Sequence, residues 1–324
     1  ADLRRAYRTY AETYVGVQRE DFKRLGVLGT WSEPYLTMAF RYQAAIVRAL
    51  GKFVEQGMVY RGKKPVHWCI HCQTALAEAE VDYAPHNSPS IYVEFKMAKE
   101  SIEELAAKQK ALGERPVSAL IWTTTPWTIP SNLAIAFHPD LDYGFYSADG
   151  GDSPTIVVVA DAIKERIETE IGRHLGERLA VVKGAELEGL RFKHPLYDRV
   201  SVGVLGNYVT LEQGTGVVHT APGHGADDFN TGVKYGLETY APVGPDGQFD
   251  STVETFSGMR VFDANPKIEE ALADAGRLWH RAQLEHSYPH CWRCRHPVIF
   301  LATWQWFIAM EAAGLRQGAL NAIQ

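Results

Sequence analysis

The sequence lacks any apolar run close to the roughly 20 residues that a membrane-spanning helix needs. Residues 1–10 are charged and polar, which is unlike a secretory signal. We therefore expect no membrane insertion and a cytosolic location. An initiator Met is also missing, and the chain starts in the middle of a pattern, which predicts a piece of a longer protein.

Positive charge is in short supply as well. Lys and Arg number 33 against 39 Asp and Glu, so the net charge is −6. No global positive field indicates a nucleic-acid partner, although a local basic strip could still hold phosphates. The chain has 324 residues, of which 46% are hydrophobic, and this is enough for a large core and more than one domain.

Cysteine is scarce, and the four cysteines form two pairs, Cys69 with Cys72 and Cys291 with Cys294. In a chain without a secretion signal, Cys-x-x-Cys pairs indicate a metal site before they indicate disulfides. Four thiolates form a closed tetrahedral set, so we expect one structural zinc ion. Four reduced thiols or two local disulfides are the alternatives, and a nearby histidine could replace one cysteine. The histidines close to these turns are His67, His71, His290 and His296.

The first third of the chain has a helical pattern. Apolar residues recur at steps of three, four and seven over residues 36–54, which predicts an amphipathic helix. Ser32 is the expected cap, Pro34 falls in the first turn, and Gly57 is the expected stop.

Short strands dominate after Tyr83. We predict strands at 91–95, 117–122 and 156–160 and more between residues 200 and 218. Helices are predicted at 102–112 and 161–171 and from Asn265 and Pro266 to Gly276. The fold class is therefore α+β, with a barrel-like mixed sheet. Because the two cysteine pairs bracket this region, it must be an inserted excursion whose ends return together.

One candidate ligand-binding segment is residues 122–132, which read W-T-T-T-P-W-T-I-P-S-N. Thr123, Thr124 and Thr125 follow a strand that Pro126 stops. Hydroxyls and unpaired backbone N–H groups therefore collect at a strand end, where they could bind a polar ligand. The alternative is a Thr-rich edge strand, which β-propensity favours in any case.

A second segment, residues 214–228, reads G-T-G-V-V-H-T-A-P-G-H-G-A-D-D. Gly-rich turns let the backbone approach a ligand closely, and a histidine near carboxylates can bind a cation or transfer a proton. A metallohydrolase site built from His219, His224, Asp227 and Asp228 is one interpretation. Another is a turn-rich loop in which one aspartate caps a helix beginning near Phe229.

Together these segments resemble the editing domain of isoleucyl-tRNA synthetases, and so does nearly the whole chain. The motifs that carry the resemblance are L-G-V-L-G-T-W at 25–31, K-P-V-H-W-C at 64–69, A-L-A-E-A-E-V-D-Y at 75–83, K-Y-G-L-E-T at 234–239, P-V-G-P-D-G at 242–247 and H-S-Y-P-H-C-W-R at 286–293. The related valyl and leucyl enzymes usually carry Arg where Thr125 stands, which favours the isoleucyl family. Both synthesis signatures of class I, H-x-G-H and K-M-S-K-S, are missing, so ATP and Mg are expected only in the full-length enzyme.

The resemblance implies a domain plan. Residues 1–63 and 300–324 would belong to an interrupted Rossmann-type catalytic region. Residues 64–86 and 282–299 would form a zinc-ribbon stem, and residues 87–281 an editing domain. The implied reaction is hydrolysis of the ester between valine and the terminal adenosine of tRNA(Ile), and of valyl-adenylate. In this family one missing methylene gives only about 1–3 kcal/mol of discrimination, so a second, hydrolytic sieve is needed.

The resemblance also implies roles for single residues. Asp228 would pair with the α-ammonium of the substrate, and His219 would be the wall that sets the pocket size. Thr123, Thr124 and Thr125 would hold the ester, the adenosine and a water. Trp127 and Asn132 would frame the adenosine side, and Trp122 would be a further substrate-binding residue. The expected partners are the 3′ end of tRNA(Ile) and the valyl ester, bound by a monomer.

A further alternative comes from a different functional class. A non-catalytic zinc-ribbon module would bind tRNA without releasing valine. No Ser-His-Asp order or Gly-x-Ser-x-Gly turn in the sequence indicates a covalent route.

Overall fold

A computed structural model of the protein describes residues 2–148 and 155–324. The chain divides into two compact units, Ala1–Gly62 with Trp306–Gln324, and Lys63–Gln305. The helices are α1 (Asp2–Arg24), α2 (Phe40–Glu55), α3 (Lys99–Lys108), α4 (Lys164–Ile171), α5 (Ala226–Tyr235), α6 (Val261–Asp274) and α7 (Leu315–Ile323). No helix in the described ranges is both long and apolar enough to cross a bilayer.

Most of the strands lie in the larger unit. They are β1 (Val59–Cys69), β2 (Thr74–Leu76), β3 (Val81–Lys96), β4 (Val117–Thr123), β5 (Ala134–Phe137), β6 (Asp142–Ala148), β7 (Thr155–Ala160), β8 (Arg178–Lys183), β9 (Arg191–Lys193), β10 (Val200–Leu205), β11 (Val217–Thr220), β12 (Leu278–Cys291) and β13 (Ile299–Ile308).

Three sheets organise these strands, in the orders β12-β3-β4-β7-β6-β8, β11-β5-β10-β9 and β13-β1-β2. The predicted α+β class is confirmed, but the barrel-like sheet is wrong. In the part of the chain that the structure describes, each sheet stays open. The physical reason is that one core fills the space between the two larger sheets, with Phe95 and Ile121 on one side and Phe137 and Phe192 on the other.

β3 and β12 form a long antiparallel ribbon. Its pairs run from Val93 with Leu278 to Val81 with Cys291. At the inner end, Ile91 of β3 pairs with Thr123 at the end of β4. The ribbon therefore separates the threonine segment from the cysteines by about 30 Å along the strand, at roughly 3.3 Å per residue.

The smaller unit shows where the helix prediction was wrong. α2 begins at Phe40, and its N-cap Ala39 uses no side chain, so Ser32 is not the cap. The residues before the helix form hydrogen-bonded turns instead; for example, the Ala39 N–H donates to Leu36 O (3.0 Å). The helix begins only after these turns. The predicted stop is confirmed, because Gly57 follows the helix with φ 68°.

The other predicted helices and strands mostly have the expected type and shifted ends. α3 stops at Lys108, four residues before the predicted end, and a turn carries the buried Leu112 into the core. α6 opens at Val261 and contains Pro266, which was expected to open it. The helix starts before the proline because its buried apolar face does. That face consists of Val261, Ala264, Ile268 and Leu272.

Candidate active site

The threonine segment forms a hydrogen-bonded chain of hydroxyls at the end of β4. The Thr125 backbone N–H donates to Thr123 Oγ1 (3.1 Å), and the two hydroxyl oxygens lie 3.2 Å apart. The chain then enters a 3₁₀ helix, Pro126–Ser131, which brings Thr128 Oγ1 to 3.2 Å from Thr125 Oγ1. Local turn geometry thus gathers hydroxyls that the sequence only places in a row.

His219 lies on β11, where it pairs with Ile135 of β5. Thr128 Oγ1 donates its proton to Thr125 O (2.8 Å), so it accepts from His219 Nε2–H, 3.0 Å away. His219 Nδ1 in turn accepts from Asn132 Nδ2 (3.5 Å). Burial, together with the nearby His224, lowers the pKa of His219 to about 4. The imidazole is therefore neutral near pH 7, and both of its nitrogens are used inside the protein.

Two glycines shape the loop that leads into β11. Gly214 and Gly216 have φ values of 67° and 72°, a region that costs other residues about 1–2 kcal/mol. A Cβ on Gly214 would lie 3.0 Å from Trp122 Cε3, and one on Gly216 would lie 2.4 Å from the Cβ of Ala160. The loop can pack this closely against β4 and β7 only because both positions are glycine.

Asp228 occupies the first turn of α5. The predicted aspartate cap is wrong, because the N-cap is Gly225 in an extended conformation and Asp227 and Asp228 follow inside the helix. Asp228 Oδ2 accepts the Ala221 N–H (2.8 Å). Burial raises the pKa of Asp228 to about 7, the Ala221 N–H opposes this, and the Asp227 charge adds to it.

Asp228 lacks a cationic partner. The ion pairs of residues 2–148 and 155–324 do not include it. Its carboxyl is half-buried and faces the cavity described next. A positively charged ligand would therefore relieve the cost of burying the ionised form.

One cavity of about 330 Å³ brings most of the predicted site together. Its wall includes five predicted residues: Trp122, Thr123, Thr124, His219 and Asp228. Tyr208, Thr210 and Gln213 also line it and were missed, because they carry no motif of their own. The volume lies within the range of small-molecule sites.

The remaining predicted residues lie elsewhere. Thr125 and Trp127 line an adjoining cavity of about 360 Å³, and Thr124 lines both cavities. Asn132 is fully buried, accepts the Ser201 hydroxyl, and donates from Nδ2 to Ala134 O (2.8 Å). The structure therefore makes Asn132 a support for His219. Thr128 was also missed; its signal is a hydroxyl three residues after Thr125, one turn of a 3₁₀ helix.

The four cysteines meet at the far end of the β3–β12 ribbon. All four are free thiols, and their sulfur atoms lie within 4.8 Å of one another. Four zinc–sulfur bonds of about 2.3 Å in a tetrahedron place sulfurs roughly 3.8 Å apart. The set can hold one metal ion, and the two local disulfides weighed from the sequence are absent among the described residues.

Electrostatics differ between the two cysteine turns: they favour a thiolate at Cys291, whereas burial raises the pKa of Cys69 to about 12. Burial raises the pKa of Cys291, but N–H donors from Cys294 and Arg293 outweigh it and lower the value to about 7. On the other turn, the Cys72 N–H donates to Cys69 Sγ (3.3 Å). Ionised sulfur is the form that binds metal.

The rings of the nearby histidines make contacts with residues other than the cysteines. His67 Nε2 lies 3.4 Å from Glu78, and His290 Nδ1 donates to Tyr288 O (2.8 Å). His71 and His296 stack on each other with ring centroids 3.7 Å apart. In the described ranges, the cysteines are the one group of three or more His, Cys, Asp or Glu that could hold a metal ion.

The metallohydrolase arrangement does not form. His219 is bonded to Thr128 and Asn132, and His224 Nδ1 donates to Phe300 O (3.0 Å). These imidazoles and the two aspartates do not converge on one point. The alternative predicted from His219, His224, Asp227 and Asp228 is therefore wrong.

Comparison with known proteins adds a family match. The model of the tRNA synthetases class I (I, L, M and V) matches residues 1–324. An isoleucine–tRNA ligase of Nitratidesulfovibrio vulgaris (strain DSM 19637 / Miyazaki F) is 50% identical over 324 residues, covering 99% of this chain and 34% of the relative. That of Geobacter sulfurreducens is 49% identical over 321 residues, with 99% and 34% covered. The chain thus spans about a third of the length of these relatives.

Among solved structures, similarity is found to editing domains. The leucyl-tRNA synthetase editing domain of P. knowlesi (cytosolic) has a TM-score of 0.48 and 12% identity, covering 60% of this chain and 97% of that chain. The structure titled GlLeuRS-CP1 has a TM-score of 0.47 and 14% identity, covering 60% and 99%.

Proposed function

Since the chain belongs to the class I tRNA synthetases of the isoleucine, leucine, methionine and valine group, we propose that it is the editing region of an isoleucine–tRNA ligase. In this proposal it hydrolyses valine from mischarged tRNA(Ile), and also valyl-adenylate. The observation that carries the proposal is the 330 Å³ cavity in which the unpaired Asp228 carboxyl and the Thr123 and Thr124 side chains line one space.

The geometry suggests how the ester is held. The α-ammonium of the valyl group pairs with Asp228, a charge-assisted contact that any aminoacyl ester can supply. Threonine hydroxyls of the β4 turn bind the ester carbonyl and a water. The water oxygen attacks the carbonyl carbon, the bond to the ribose oxygen breaks, and the ribose oxygen takes up the proton. An aminoacyl ester is already reactive, so positioning the water supplies most of what is needed.

His219 sets the size of the pocket in this scheme. Its Nδ1 lone pair accepts from Asn132, and its Nε2 proton is donated to Thr128. With a pKa of about 4 and both nitrogens occupied, it is poorly suited to accept a proton from water. What it offers the substrate is a fixed, neutral surface beside the apolar Val217 and Val218.

The proposal extends to the rest of the chain. Residues 87–281 form the editing domain, and residues 64–86 and 282–299 form a stem that the four cysteines close around zinc. Residues 1–63 and 300–324 belong to the catalytic region of the full-length enzyme, which binds ATP and Mg. Large apolar side chains stand exposed there, such as Leu28, Phe40 and Trp306, and the remainder of a longer protein would cover them.

Deacylation tests the proposal. We expect this chain to release valine from Val-tRNA(Ile) well above the spontaneous rate and to leave Ile-tRNA(Ile) largely intact. Release of neither amino acid above buffer, from a folded protein that still binds tRNA, would favour the non-catalytic tRNA-binding module instead.

A further inference from the structure

Thr125 and Trp127 line the 360 Å³ cavity beside the proposed hydrolytic pocket, and the scheme above assigns no ligand to the other walls of that cavity. It shares Thr124 with the pocket, and its other walls include α6, the middle of the β3–β12 ribbon and Trp127. A ligand bound there would share the Thr124 side chain with a ligand in the hydrolytic pocket. The polar groups of the cavity show what that ligand must offer.

Asn265 supplies an unused donor. Its side chain is 8% exposed, and its Oδ1 accepts the Trp127 N–H (3.0 Å). That bond fixes the orientation of the amide and leaves Nδ2 without a partner among the described residues. Because the residue lines the cavity, the free N–H groups face it. A ligand acceptor in the cavity could therefore take this N–H without breaking a hydrogen bond within the protein.

Glu269 supplies an unused acceptor one helical turn further along. It lies on the same face of α6 as Asn265, four residues on, and it lines the same cavity. Its half-buried carboxyl makes no hydrogen bond or ion pair within the described ranges. Burial raises its pKa, and the more distant Arg281 charge opposes this. A ligand N–H donor is therefore the missing partner.

Flat rings complete the wall. Tyr288 and His86 lie with ring centroids 4.9 Å apart, and both line the cavity. Gln283 and Asn87 add further amide groups at its edge. Aromatic faces beside a fixed donor and a fixed acceptor are the means by which proteins hold single-stranded bases.

We propose that this cavity is a nucleobase subsite, which takes the cytosine that precedes the terminal adenosine at the 3′ end of tRNA. Its amino group donates to Glu269, the contact that carboxylates make with cytosine N4. Its adjacent ring nitrogen accepts from Asn265 Nδ2, and the ring lies against Tyr288. The inference rests on the proposed function, because it is the ester in the neighbouring pocket that brings this base within reach.

The test compares two minimal substrates, valyl-adenosine and the valyl ester of the dinucleotide CpA. For the wild-type chain we expect kcat/KM to be at least tenfold higher for valyl-CpA. Glu269→Ala and Asn265→Asp should lower that advantage about tenfold, while hydrolysis of valyl-adenosine is unchanged. Asp at 265 keeps the acceptor for Trp127 N–H, removes the donor and adds a negative charge. Glu270→Ala is the matched control, because Glu270 is exposed on the same helix and pairs with Lys267.

Each result has one meaning. If the wild type hydrolyses both substrates at the same rate, or if Glu269→Ala keeps the full advantage, the subsite is wrong and the proposed function stands. Equal losses for both substrates would place the terminal adenine in this cavity and overturn the assignment. A valyl-UpA ester as good as valyl-CpA would show that the amino group is not recognised. Failure to hydrolyse any of these esters, or Val-tRNA(Ile), would refute the proposed function itself.

Discussion

At the scale of single residues, His219 shows how hydrogen bonds limit what a side chain can do. Asn132 holds one ring nitrogen and Thr128 the other, and the ring is 7% exposed. A pKa of about 4 keeps it neutral over the physiological range. The surrounding network thus favours a fixed wall over a proton acceptor.

His219→Ala tests that role. Removing the ring enlarges the pocket, so we expect the variant to hydrolyse Ile-tRNA(Ile) while it retains at least part of its activity on Val-tRNA(Ile). Overpacking by one methylene costs about 1–3 kcal/mol, so the ratio of the two rates should shift by roughly tenfold or more. The two deacylation rates are measured side by side for wild type and variant. Equal losses of 10²–10⁴-fold on both esters would instead identify a general base.

Asp228→Asn separates function from stability. Asn can still accept the Ala221 N–H but cannot pair with an ammonium, so we expect deacylation to fall by at least 30-fold. This corresponds to the 2–5 kcal/mol typically lost when one partner of a buried charge pair is removed.

Asp228→Asn should also raise the melting temperature at pH 8. The pKa of Asp228 rises from 3.8 to about 7 on folding, so its ionisation removes stability as the pH increases through that interval.

The wild-type pH profile checks the same assignment. Only the ionised carboxylate can pair with the ammonium, so kcat/KM should fall as the pH drops below about 7, and the variant should lack this step. Asp227→Asn is the matched control, because Asp227 is exposed in the same turn; it should keep the step but move it to lower pH, since the Asp227 charge raises the pKa of Asp228. A profile that is unchanged in Asp228→Asn would assign the ammonium contact elsewhere.

Motifs indicated the candidate site residues but not the hydrogen bonds that connect them. The threonine run, His219 and Asp228 could be predicted, because each lies in a conspicuous pattern of hydroxyl, glycine or carboxylate residues. The supporting bonds of Asn132 and Thr128 could not. They depend on the pairing of β11 with β5 and on the 3₁₀ turn after β4, which join residues far apart in the sequence.

At the scale of elements, the two cysteine turns repeat one backbone conformation. The residue after the second cysteine has a positive φ in both, 50° at Gln73 and 62° at Arg295. Neither is glycine, so each turn holds an uncommon conformation. In each turn, the backbone reverses direction at this residue, immediately after the two cysteines that point their sulfur atoms towards the same place.

Substitutions at Gln73 should measure what this bend is worth. Gln73→Val places a β-branched side chain at positive φ, and we expect it to lower the free energy of unfolding by about 1–3 kcal/mol and to weaken metal binding. Gln73→Gly fits the same backbone and should change both quantities little. Thermal unfolding and competition with a chelator provide the two measurements. Equal behaviour of the two variants would mean that the turn relaxes without cost.

Element types could be predicted more reliably than their ends. β4, β7 and α4 lie where the apolar patterns placed them, whereas α2, α5 and α6 start at other residues than the cap residues indicated. Caps failed as signals because Ala39, Gly225 and Arg260 occupy the N-cap positions without a side-chain bond. Tertiary burial, not local capping, sets these starts.

At the scale of the whole molecule, the four cysteines and the candidate active site lie at opposite ends of the β3–β12 ribbon. Cys69 and Cys291 pack with Leu76 and Val298 in a small cluster that is separate from the main core. The main core has many large buried side chains and can fold on hydrophobic burial alone. Two buried and two half-buried thiols in a small cluster contribute much less, so we expect the local structure to depend on a bound metal ion.

Metal removal should therefore act locally. We expect one zinc per chain, and after chelation we expect faster amide hydrogen exchange at residues 69–76 and 291–298, because metal binding at such a site is coupled to folding. Exchange in β4 and β11 should stay slow, and hydrolysis of valyl-adenosine should persist. The double substitution of Cys69 and Cys72 by serine should reproduce the chelated state without chelator. Loss of protection throughout residues 63–305 would show that the ion stabilises the whole unit. Unchanged exchange at the cysteine turns would show that the ion does not stabilise even the turns.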